Sequence, residues 1–64
     1  MAKIWRNRII GGTRTFQEVP LTWKAQVKEL LRQDVANGTY TYAGPATPEW
    51  YEEVVGEPYV APED

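Results

Sequence analysis

The apolar residues fall into three periodic groups separated by glycine- and proline-bearing stretches. In the first, Ile4, Trp5 and Ile9 share one side of a helix at 100° per residue, with Arg8 interrupting that side. A strand fits worse, because Ile4 would alternate with Arg6 and Arg8. The spacing predicts a short helix over about 2–10, ended by Gly11-Gly12, a pair that favours turns. The second group is the strongest. Trp23, Val27, Leu30, Leu31 and Val35 recur at i, i+4, i+7, i+8 and i+12, with Lys24, Lys28 and Arg32 along a flank. They predict a helix over about 22–36, with Asn37-Gly38 as its stop. In the third, Trp50, Tyr51, Val54 and Val55 oppose Glu49, Glu52 and Glu53. Thr47 is placed to cap and Pro48 suits the first helical position. Gly56 and Pro58 close a helix predicted over 48–55, after which Tyr59 and Val60 are free to fold back on the core.

The connectors are less regular. Thr15 and Glu18 have capping-box spacing and can start one helical turn, which Pro20 then cuts short. Thr39 to Tyr42 alternates and is rich in strand formers, but no second strand is evident to pair with it. Residues 39–47 therefore read as a proline-containing loop. The expected fold is all-α: a bundle or hairpin of two to three short helices in a single domain over 1–60, with a frayed tail at 61–64.

A chain of 64 residues makes one domain at most. A core of that size supplies only about 3–5 kcal/mol, so small proteins add disulfides, a metal or a partner. There is no cysteine for the first, and with no histidine either a structural zinc has no ligands. Association, with another protein or with itself, is what remains. The net charge of −2 hides a strong asymmetry. All seven basic residues lie between Lys3 and Arg32, where only Glu18 and Glu29 oppose them, a local +5. Every charged residue after Arg32 is acidic, a local −7. Both sets lie on amphipathic stretches, which suggests one half folding against the other. Lys24, Lys28 and Arg32 would then face Glu49, Glu52 and Glu53 across a helical hairpin, or solvent. No apolar run approaches the 18 or so residues of a membrane span, and the first residues lack the apolar centre of a signal peptide. The chain is expected to stay in the compartment where it is made.

Catalysis finds few candidates. Histidine, cysteine and serine are all absent, which removes the usual nucleophile–base pairs. Glu49, Glu52 and Glu53 sit on one helical face, whereas a glycosidase needs two carboxyls across a cleft and calcium needs a wrapped loop of six to eight oxygens. No enzyme activity and no cofactor are expected. The seven cations are the best case for nucleic acid, but a pI near 5.0 and the acidic half argue against it.

Three tryptophans and four tyrosines in so short a chain are the clearest functional signal, since aromatics dominate both cores and interfaces. Trp5, Trp23 and Trp50 are expected in the core, one per helix. Trp5, Tyr40, Tyr42, Tyr51 and Tyr59 are the candidate partner contacts. Asp34 is the oddest residue, because it projects between Trp23 and Val27 in the apolar stripe. A carboxylate there needs partners, and the expected ones are Arg8 or the N–H groups of the Gly11-Gly12 turn, tying the first helix to the second; the alternative is an exposed helix end with Asp34 in water.

Four pieces stand in order along the chain: Trp5-x-Asn7-Arg8-Ile9-Ile10-x-Gly12-Thr13, Val19-Pro20, Val27-Lys28-x-Leu30-Leu31-x-x-Asp34-Val35-x-x-Gly38 with Thr41, and Tyr51-Glu52-x-Val54-Val55-Gly56-Glu57-x-Tyr59. Through them the chain from Ile4 to Tyr59 resembles the short phage and prophage proteins called XkdX-like. The departure is the longer segment from Tyr42 to Pro48. These proteins are encoded among tail and host-adsorption genes of phages of Gram-positive bacteria. The resemblance implies a virion-associated or assembly role near the tail, with tail or adsorption proteins, or further copies of the chain, as partners. It implies a place in the virion or the host cytoplasm and no catalytic residues. A nucleic-acid-binding or regulatory phage protein is the alternative, and an inhibitor of a host enzyme is a third reading.

Overall fold

The computed structural model describes residues 1–61. Helix α1 spans Ala2–Ile10, a 3₁₀ turn spans Phe16–Glu18, and helix α2 spans Leu21–Asn37. Strands β1 (Tyr40–Thr41) and β2 (Gly44–Pro45) follow, and helix α3 spans Pro48–Val55. α1 and α3 both pack on α2, and the 3₁₀ turn packs on α3. The core is built from Ile9, Phe16, Val27, Leu31, Trp50, Tyr51 and Val55, with Ala2, Val19 and Ala46 filling smaller spaces.

Local chemistry explains the boundaries. In the 3₁₀ turn, the Thr15 backbone N–H donates to Glu18 Oε2 at 3.0 Å, the capping-box bond that the spacing suggested. α3 begins where Thr47 Oγ1 accepts from the Trp50 N–H at 3.1 Å, with Pro48 in the first turn. α2 ends at Gly38, whose φ of +67° is open to glycine at little cost. Tyr59 does fold back, its ring meeting Tyr51 edge-on at 5.4 Å, while Val60 stays exposed. The expected fraying at 61–64 lies, from residue 62 on, outside the described residues.

Two expectations need correction. The fold is mostly helical but not all-α, because the 39–47 loop contains a small antiparallel hairpin. Tyr40 pairs with Pro45 and Thr41 with Gly44. The missing partner strand was β2, two residues that carry no periodicity. Buried Thr41 closes the turn: its Oγ1 accepts from the Ala43 N–H at 3.1 Å and donates to the Gly44 carbonyl at 2.8 Å. The second correction concerns α1. Its buried side runs through Ala2, Trp5 and Ile9, while Ile4 is 46% exposed. That rotation turns Arg8 outward, over the Trp5 ring at 5.4 Å, and Arg6 inward.

Candidate docking surface

The hairpin tip is clasped to the end of α1. The Tyr42 N–H donates to the Ile10 carbonyl at 2.8 Å. The Tyr42 ring lies on Gly12, where an added Cβ would come within 2.9 Å of Tyr42 Cγ. Gly12 itself sits at φ +78°, so glycine is required there twice over, by conformation and by space. The clasp fixes one side of Tyr42, yet the residue remains 63% exposed. Tyr40, two residues back at the start of β1, is 76% exposed.

Beside Tyr42 lies a groove of about 390 Å³ between the hairpin, the segment Arg14–Gln17 and α3. Ile9, Phe16 and Trp50 are its buried lining, while Tyr42, Arg14 and Glu53 are its exposed lining. The Gln17 side-chain amide donates to the Val54 carbonyl at 3.3 Å, holding the 3₁₀ turn against the end of α3. Trp50 Nε1 is buried without a hydrogen-bond partner among the described residues, an uncommon state for an indole.

The candidate contacts separate in the structure. Tyr40 and Tyr42 share the hairpin surface. Tyr51 does not join them: it is 1% exposed, among the most buried side chains, because it lies on the same face of α3 as Val55. Burial raises the pKa of its phenol, with nearby Arg32 and Lys28 acting in the opposite direction. Tyr59 is half-buried against Tyr51, and Trp5 is half-buried under Arg8. Of the tryptophans, Trp50 is buried, while Trp5 and Trp23 are half-buried against the core. Met1, Leu21 and Val60 are exposed as well, as is Ile4, which the periodicity had placed on the buried side of the first helix.

The tie between the first two helices exists, but its partner is Arg6 and not Arg8. Arg6 Nε approaches Asp34 Oδ2 at 3.2 Å, with the Asp34 side chain 5% exposed and that of Arg6 27%. The approach is not aligned as a hydrogen bond, and both atoms are buried without a hydrogen-bond partner. Burial raises the Asp34 pKa, and the Arg6 charge offsets this only in part. The Gly11-Gly12 amides are not involved, since they bond to Asn7 and Ile9 carbonyls.

Of the two outcomes open to Lys24, Lys28 and Arg32, facing the α3 glutamates or facing solvent, the described residues show no pair of the first kind. Lys28 pairs with Glu57 at 2.9 Å, Arg32 pairs with Glu29 on its own helix, and Lys24 lies over the Phe16 ring at 5.6 Å. The Arg32 hydrogen bond lowers the Glu29 pKa and raises that of Arg32. Glu52 accepts from the Tyr59 N–H at 3.1 Å.

Among the described residues no group of three or more acidic side chains could hold a metal ion, and no helix is long and apolar enough to cross a membrane. The arrangement offers aromatic surface, a shallow groove and free charges, which suits recognition of another surface. Comparison with known proteins adds no relative: no family model, no curated protein and no solved structure matches this chain.

Proposed function

We propose that this chain is a small phage virion-associated or assembly protein that acts by docking onto tail or adsorption components. The observation that carries the docking reading is the clasped hairpin. Tyr42 is anchored through Gly12 and Ile10 yet remains 63% exposed beside a groove floored by Phe16 and Trp50. A rigid exposed aromatic loses little conformational freedom on binding, which is what an interface anchor requires. The phage setting rests on the resemblance of residues 4–59 to XkdX-like proteins. No catalytic or cofactor role enters this reading.

Mass spectrometry of purified particles tests it. The chain is expected at a fixed ratio to tail proteins after density-gradient purification. Its absence from particles and from tail-assembly intermediates would remove the proposal. Salt separates docking from nucleic-acid binding: capture through Tyr40 and Tyr42 should weaken only modestly as ionic strength rises, whereas phosphate binding falls by orders of magnitude.

A further inference from the structure

We infer that the groove beside Tyr42 receives α1 of a second copy, so that copies join head to tail. This rests on the docking reading above and names the groove's occupant.

The argument starts from charges that folding leaves unpaired. Among the described residues, the ion pairs are Arg6–Asp34, Lys28–Glu57 and Arg32–Glu29. Lys3 and Arg8 on α1, and Glu49 and Glu53 on α3, are exposed and belong to none of them. The +5 half and the −7 half of the chain therefore do not neutralise one another through these residues. Lys3 and Arg8 stand exposed on α1, and Glu49 and Glu53 stand exposed on α3.

Each surface carries an apolar feature that fits the other. On α1, Ile4 is exposed between Lys3 and Arg8, the latter one helical turn away. On the other side, the groove has an apolar lining of Ile9, Phe16, Tyr42, Trp50 and Val54, with Glu53 among its exposed residues. Ile4 from a second copy would enter the groove and bring its flanking cations toward Glu53 and Glu49. Arg14, also on the groove, repels the incoming cations and restricts the approach to the α3 side. Such a contact joins two different patches, so each added copy leaves one of each free. The assembly then closes as a ring or grows as a filament.

The test uses the purified chain alone, by sedimentation over a range of concentrations. At about 50 mM salt the mean mass is expected to climb past the dimer, with the dissociation constant rising about tenfold or more by about 500 mM. Lys3→Glu/Arg8→Glu and Glu49→Lys/Glu53→Lys should each weaken association about tenfold or more, and an equimolar mixture of the two should restore it. Ile4→Asp alters an exposed position outside α3 and should also weaken association while the helical circular dichroism is kept. The inference is overturned by a chain that stays monomeric at about 1 mM, by association that stops at the dimer, by mixed charge variants that fail to assemble, or by a monomer that instead binds duplex DNA. Because no other protein is present, these failures leave particle incorporation untouched. Absence from particles alongside assembly in solution would reject the phage reading alone.

Discussion

Replacing Arg6 with methionine is expected to harm this protein more than replacing Asp34 with asparagine, although both break the same contact. The reason is what each variant leaves behind. Without Asp34, the Arg6 side chain remains 27% exposed and its guanidinium can turn to water. Without Arg6, an ionised Asp34 is left 5% exposed with no counter-charge. Removing one partner of a deeply buried pair costs about 3–5 kcal/mol, chiefly through the stranded charge. In so small a domain the Asp34 site lies close beneath the surface, so about 2 kcal/mol is the better figure for Arg6→Met at pH 7. That corresponds to a Tm lower by roughly 8–16 °C. Asp34→Asn should cost about 1 kcal/mol or less, because it removes the desolvated charge along with the pair.

The pH dependence gives the reasoning its sign. Burial holds the Asp34 pKa above its ordinary 3.8 in the folded chain. A carboxyl with a raised folded pKa contributes stability that is fully present below the unfolded value and is lost as pH rises through the folded one. Arg6→Met removes the one charge that opposes this rise. The deficit of that variant should therefore be large at pH 7 and shrink as the pH falls toward about 4. The Arg6→Met/Asp34→Asn double variant should be more stable at pH 7 than Arg6→Met alone. Thermal melts followed by circular dichroism at both pH values measure all of this. Equal losses for the two single variants, or an Arg6→Met deficit that grows in acid, would refute the reasoning.

Other variants probe the clasp, the cap and the surface. Gly12→Ala should cost at least about 2 kcal/mol, since positive φ and the Tyr42 ring both oppose a Cβ. Gly38→Ala, with positive φ but nothing within 4 Å, should cost only about 1 kcal/mol; urea melts compare the two. Thr47→Ala removes the cap on α3 and should lower stability by about 1 kcal/mol, or roughly 4–8 °C in Tm. Tyr40→Ala should leave the melting temperature nearly unchanged and weaken capture by tail components, read by pull-down from a phage lysate with the wild-type chain as reference.

Much of the fold was legible from the sequence because the helix signals are local and strong. Thr47-Pro48 and Gly56 bracket α3, and the stripe from Trp23 to Val35 with Gly38 brackets α2 to within a residue of its observed ends. The hairpin was illegible for the opposite reason. Two strands of two residues have no period, and they are held by Thr41 bonds to the turn and by Tyr42 on α1. The error over the tie has a single source. A buried side defined by Ile4, Trp5 and Ile9 turns Arg8 inward, whereas the observed burial of Ala2, Trp5 and Ile9 brings Arg6 to Asp34. Small residues carry little weight in a periodicity argument, yet they mark where another helix approaches closely. The buried carboxylate itself was found, because Asp34 interrupts an apolar stripe. Tyr51 was misplaced because a phenol in such a stripe reads equally well as core or interface, and only the packing of α3 on α2 decides.

A photo-crosslinking amino acid at position 42, compared with one at exposed position 33, tests the docking surface most directly. In particles assembled with the labelled chain, position 42 should give covalent adducts with a tail component or a second copy, and Gln33 should give few. Folded chain incorporated into particles with no adduct at position 42, or with as many from position 33, would contradict the account.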